Sequence, residues 1–259
     1  MVASNQIHKT AIVHQSVKLG KANIIGPYCI IESGSVIGDN NYFNSHVNIG
    51  SNVKIGNHNQ FYPGVCIGQC GEMGAKGDQM KIDAFTKIGD YNTFRENVCM
   101  HAPVYNEHSI VGMHCYIMNN SYLAHDVTLG NYVNLSAGVK LGGRVTIESH
   151  SNLGLNATVH QRCTIGQSAM VGMSTVITKA IPPFMVVAGN PSRLLKLNVI
   201  GLERRAFDTT AIDLLNANLV DVLKGNVPAT NVLIKKILDF LGRYEAALVE
   251  FKKLDDFIE

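Results

Sequence analysis

The chain has 259 residues, of which 46% are apolar and 16% charged, with a formal net charge of +2. That length supports one large domain or two unequal ones with a continuous core. The near-neutral balance argues against a nucleic-acid or anionic-membrane surface, and no apolar run is long enough for a transmembrane helix. The first ten residues lack the charged-then-apolar pattern of an export signal, so a cytoplasmic protein is expected. Six cysteines, Cys29, Cys66, Cys70, Cys99, Cys115 and Cys163, form no CxxC pair. They read as buried thiols in a reducing compartment rather than as disulfides or zinc ligands.

From Val13 an apolar residue recurs at every sixth position through Leu19, Ile25, Ile31, Ile37, Phe43, Ile49, Ile55, Phe61 and Ile67. The series resumes at Ile88, Phe94 and Met100. It resumes again at Val111 and runs through Ile117, Leu123, Leu129 and Leu135 to Ile177. Small or β-branched residues such as Val47, Val65, Val127, Val133 and Val145 sit two positions before these. A period of six fits neither a helix nor a two-faced strand. It fits a three-sided prism of short strands, each apolar residue pointing to the axis. About eight complete coils are expected, stacked about 4.8 Å apart. Two interruptions, 69–83 and 102–109, read as surface loops, the first rich in glycine.

The repeat stops at Ala180-Ile181-Pro182-Pro183, and a turn follows at Val187-Ala188-Gly189-Asn190-Pro191. From about Asn198 the period becomes helical. Ile212, Leu215, Leu219, Val222 and Leu223 share one face of a helix ended by Gly225. Val232, Ile234, Ile237, Leu238 and Leu241 mark a second helix ending near Gly242, and a third is expected over 244–258. The expected organisation is a β-helix over 1–190 and a helical domain over 191–259.

Eighteen residues per coil place Leu123, Leu141 and Val159 in one column, and Met100 joins it if 100–111 spans a single step. The residues just after these share one corner: His101, Ala124-His125-Asp126, Gly142-Gly143-Arg144 and His160-Gln161. His8, His14, His46, His58 and His150, outside this corner, read as surface or structural groups. At the corner, a neutral His125 can take a proton from an alcohol near neutral pH. Asp126 can orient it, though an aspartate here also suits a tight turn. The Gly142-Gly143 backbone offers N–H groups to an oxyanion. Gly-x-Ser-x-Gly is absent, so direct transfer fits better than a covalent acyl-enzyme.

With Ala124-His125-Asp126-x-Thr128-x-Gly130, Val159-His160-Gln161, the Gly189-Asn190 turn and Gly201-Leu202-Glu203-Arg204-Arg205-Ala206-Phe207, the chain resembles the acyl-[acyl-carrier-protein]–UDP-N-acetylglucosamine O-acyltransferases of bacterial lipid A synthesis. The resemblance covers essentially the whole chain and implies a left-handed helix, where general crossover rules would favour the right hand. It implies a homotrimer with sites between subunits. The implied partners are a 3-hydroxyacyl carrier protein and UDP-N-acetylglucosamine, with no cofactor or catalytic metal. It implies that His125 is the general base for the sugar 3-hydroxyl, Asp126 its orienter and Gly143 the oxyanion glycine. By the same resemblance His160 and Gln161 line the groove. Asn198, Arg204 and Arg205 hold the nucleotide, and Met173 limits the acyl chain to about ten carbons. The chain departs from the family at Tyr122 and Arg144, both usually histidine. In the glycine-rich loop only Lys76 matches a sugar-gripping residue. With His101 these positions complete the candidate substrate-binding set. The departures leave open a different nucleotide sugar, including an amino sugar, or a coenzyme A donor. A trimeric hexapeptide metal enzyme using His101, His125 and His160 is a further alternative.

Overall fold

The computed structural model describes residues 4–73, 81 and 83–244. Its main body is a left-handed parallel β-helix with three flat faces. Most strands are two residues long, and each pairs with the strand one coil away. Among the described residues the first face has 11 strands, the second 9 and the third 8. Eight strands on the shortest face agree with the number of coils expected from the repeat.

Each strand contributes one inward side chain, so the axis is filled by the hexapeptide residues. Ile25, Phe43, Phe61, Phe94, Ile117, Leu135, Leu153 and Val171 follow one another up the first face, all nearly fully buried. Phe43, Phe61 and Phe94 stack with centroids 4.8 and 5.0 Å apart and rings within 8° of parallel. These separations follow the strand spacing and suit offset-stacked rings. The valines two positions earlier, among them Val47, Val65, Val127 and Val145, fill the corners and are also buried.

Corners are tight because one residue in most of them adopts left-handed backbone, as at Asn40 (φ 57), Asp126 (φ 62) and Arg144 (φ 62). At the corner between the third and first faces, buried asparagines satisfy the exposed backbone. The side-chain oxygens of Asn23, Asn41 and Asn59 each accept the N–H of the next asparagine up at 2.9 Å. At the surface of the same corner His58, Tyr91, His114, Tyr132 and His150 stack in turn at 4.7–4.9 Å. These histidines are structural, as expected for His58 and His150, but their alternation with tyrosine is a feature the six-residue period does not reveal.

Both interruptions keep the register. Ile67 pairs with Met100 across the first and Met100 with Leu123 across the second, so 100–111 is a single step. Cys29, Cys115 and Cys163 are buried, whereas Cys66 and Cys99 are only half-buried and Cys70 is exposed. For those three the expected burial is corrected: positions 66 and 99 point outward from their strands, and Cys70 lies just past the end of the strand Cys66–Gln69.

After the last coil, Met185–Ala188 and Arg193–Leu197 form an antiparallel pair that extends the first face. Helices α1 (Val199–Arg204), α2 (Thr209–Ala217), α3 (Leu219–Leu223) and α4 (Val232–Arg243) follow. The single helix expected up to Gly225 is divided at Asn218, where φ is −112° and the chain leaves helical geometry. In α4 the buried face is Leu233, Ile234, Ile237 and Phe240, while Val232 is 54% exposed. Asn231 caps this helix by accepting from Leu233 and Ile234, which places Val232 on its solvent side. The third expected helix lies outside the described residues. No helix among the described residues is long and apolar enough to cross a membrane.

Candidate active site

The strand Tyr122–Leu123 on the second face ends at Ala124, and His125 and Asp126 form the corner leading to Thr128–Leu129 on the third. Inward Leu123 and Val127 anchor both sides of this corner with no exposure. The 125–126 pair is thereby held on a rigid rung.

Asp126 is 2% exposed. One carboxylate oxygen, Oδ2, accepts from His125 Nδ1 at 2.7 Å. Its Oδ1 accepts from the backbone N–H of Asn106 at 2.7 Å, and the N–H groups of Val104 and Tyr105 lie 3.2–3.3 Å from both oxygens. Ser109 Oγ accepts the Asp126 N–H at 3.0 Å. The loop 102–107 is therefore folded around one carboxylate. A neutral imidazole bonded this way donates from Nδ1–H to the carboxylate and leaves the Nε2 lone pair free.

Gly143 lies one coil above His125. A Cβ at Gly143 would come within 2.6 Å of His125 Cε1 and Nε2, so only glycine lets the two rungs close over the ring. Arg144, next along, donates its backbone N–H to the His125 carbonyl at 3.0 Å. Its guanidinium lies 4.0 Å from the Tyr105 ring centroid, and Tyr105 tilts against His125 with centroids 5.7 Å apart. Tyr105 was not singled out from the sequence. It has no repeat position, and only the wrapping of its loop around Asp126 brings it to the histidine.

His101 lies one coil below Ala124, and His160 two coils above it, in the column expected. His101 is buried and packs edge-on against Tyr122, with ring centroids 5.2 Å apart. Tyr122 donates its hydroxyl to Glu72 at 3.1 Å. Burial, and then the Glu72 charge, push the Tyr122 phenol well above its usual range, so it acts as a neutral donor. Glu72 is a second group missed in the sequence. It belongs to the glycine-rich loop, and its approach depends on the loop's path. His160 and Gln161 form an exposed rung, with His160 Nδ1 3.2 Å from the Gln161 carbonyl. Lys76 lies outside the described residues.

The remaining candidates are not beside His125 within one chain. Asn198 caps α1, its oxygen accepting from Gly201 at 3.2 Å and its amide donating to the Ser168 carbonyl at 2.9 Å. With Arg204 it borders a cavity of about 480 Å³ on the first face, beside Met118, Asn134, Asn152 and Met170. Arg205 donates to Ser168 Oγ and packs 4.9 Å from the Phe207 ring centroid. Burial lowers the pKa of its guanidinium. Met173 is 71% exposed at the corner between the first and second faces, one coil above exposed Leu155. Among the described residues, no three of His, Cys, Asp or Glu are grouped to hold a metal ion within one chain.

A family model described as UDP N-acetylglucosamine O-acyltransferase, domain 2, matches residues 181–259, and one described as bacterial transferase hexapeptide (six repeats) matches 108–143. The acyl-[acyl-carrier-protein]–UDP-N-acetylglucosamine O-acyltransferase of Thermodesulfovibrio yellowstonii is 31% identical over 258 residues, covering 98% of this chain and 96% of that protein. The enzyme of the same name from Thiobacillus denitrificans is 30% identical, with coverages of 94% and 98%. The crystal structure of the Francisella novicida UDP-N-acetylglucosamine acyltransferase superposes with a TM-score of 0.87 at 29% identity, covering 98% of this chain and 99% of that one. Identity to curated relatives over nearly the whole of both chains, together with the superposed fold, places this chain in a family: it belongs to the acyl-[acyl-carrier-protein]–UDP-N-acetylglucosamine O-acyltransferases.

Proposed function

We propose that this protein transfers a 3-hydroxyacyl group from acyl carrier protein to the 3-hydroxyl of UDP-N-acetylglucosamine, the first step of lipid A synthesis, in the cytoplasm. Family membership supports the overall reaction. The observation that carries the chemistry is the 2.7 Å contact between His125 Nδ1 and buried Asp126. With Nδ1–H committed, Nε2 takes the acceptor hydroxyl proton as the oxygen attacks the thioester carbonyl. The oxyanion that forms is stabilised by the backbone N–H at Gly143. Collapse breaks the carbon–sulfur bond, and the departing thiolate takes the proton back from the imidazolium. No covalent enzyme intermediate is needed.

In this reading the protein acts as a homotrimer. Asn198 and Arg204 border the first face, while His125 stands at the corner of the other two. A neighbouring copy would supply the nucleotide-binding groups to each histidine corner. Arginine suits a diphosphate through its charge and paired donors.

The test offers purified protein a panel of 3-hydroxyacyl carrier proteins and UDP-sugars and identifies products by mass. The expected product is the 3-O-acylated UDP-N-acetylglucosamine, and its absence with every carrier protein would sink the proposal. The panel includes the 3-amino analogue, because Glu72 brings a carboxylate to Tyr122 where the family usually has histidine. Preferential use of that analogue would reassign the acceptor. Met173→Gly is expected to shift the preferred donor from about ten carbons to a longer chain, since it removes a flexible apolar side chain from an exposed corner. An unchanged donor preference discards the ruler assignment.

A further inference from the structure

Cys66 and Cys99 occupy equivalent positions on adjacent strands of the second face, paired Cα to Cα. Each precedes an inward residue, Ile67 and Met100, both with no exposure, so the two thiols leave the outer surface side by side. Both are free thiols and half-buried. Asn48 lies on the rung below and Tyr122 on the rung above. None of the groups assigned to acyl transfer uses either sulfur.

We propose that Cys66 and Cys99 form a two-thiolate site for a soft cation of low coordination number, Cu(I) being the type. Neighbouring strands are about 4.8 Å apart, and parallel side chains keep that separation. The two thiols are not bridged, and the Cβ separation of a disulfide, about 3.8 Å, is shorter than the strand spacing. Two metal–thiolate bonds of about 2.3 Å placed end to end span about 4.6 Å, close to the strand spacing. Thiolate ligands select soft cations, and the absence of a grouped third ligand among the described residues suits an ion content with two. Burial, the neighbouring Cys66 sulfur and the Glu72 carboxylate push the Cys99 thiol up to about 11, and burial raises Cys66 as well. Both sulfurs therefore carry protons in the free protein. Binding exchanges these two protons for one cation, so two protons leave for each Cu(I) taken up.

The test titrates the reduced full-length protein with Cu(I) in competition with a colorimetric Cu(I) chelator, under exclusion of oxygen. One Cu(I) per chain is expected. Cys66→Ser and Cys99→Ser should each weaken binding by about 100-fold or more, because the second thiolate acts as an intramolecular ligand, while Cys70→Ser should leave it unchanged. X-ray absorption at the copper edge of the unsubstituted protein should show two sulfur neighbours, a readout independent of whether any variant folds. Lack of Cu(I) uptake, retention of affinity in either outward-facing variant, loss of it in Cys70→Ser, or a copper shell without two sulfurs would each overturn the proposal. Neither readout depends on the acyltransferase reaction.

Discussion

Replacing His125 by alanine is expected to lower kcat by about 100- to 10,000-fold, the range for loss of a general base. The side chain is bonded through Nδ1 to Asp126 and leans on Tyr105, but it fills no part of the hexapeptide core. The inward neighbours Leu123 and Val127 stay in place, so the fold should persist and the thermal transition should move little. Steady-state acyl transfer at saturating UDP-sugar, alongside a thermal melt, separates the two effects. A variant that kept full activity would falsify the assignment of His125 as base.

Asp126 should show the opposite balance, with structure and activity failing together. Its carboxylate is bonded to the imidazole and to backbone N–H groups of the 102–107 loop. Asp126→Ala leaves these buried donors without an acceptor, at about 1–3 kcal/mol each when water cannot reach them. A loss of about 2–5 kcal/mol in denaturant unfolding is expected, with activity down by at least about 100-fold because the imidazole is no longer held. Asp126→Asn preserves the shape and one acceptor oxygen, so its stability should fall less. Its amide presents an N–H where His125 now donates, favouring the wrong tautomer, and kcat should still fall by up to about 10,000-fold. An asparagine variant that unfolds like the alanine one but retains turnover would assign Asp126 to the loop alone.

The close approach at Gly143 explains why a glycine stands above His125. Any Cβ there meets the ring within 2.6 Å. The position was legible as a glycine pair at the right offset. Its contact with the imidazole was not, because the eighteen-residue count gives the rung and not the distance across it.

Asn198, Arg204 and Arg205 illustrate a different gap. Their proposed role is to hold the nucleotide, yet within one chain Asn198 also caps α1 and Arg205 is bonded to Ser168. A residue can thus serve local helix geometry and still present its remaining surface to a ligand. For Arg204, which borders the open first-face cavity, the site role is the less constrained one.

The sequence by itself determined the β-helix, its three faces and the column containing His101, His125, Gly143 and His160. It could do so because a hexapeptide coil repeats the same local geometry, so stacking follows from counting residues, and even the 102–109 interruption leaves the register readable. Tertiary structure alone decided what surrounds the column. It closed the 102–107 loop over Asp126, brought Tyr105 to the imidazole and Glu72 to Tyr122, stacked tyrosine on histidine along another corner, and split the first cap helix at Asn218. These contacts join aperiodic segments to the coil. Their positions depend on where a loop finds partners for its backbone and charged groups, a balance that no repeat encodes.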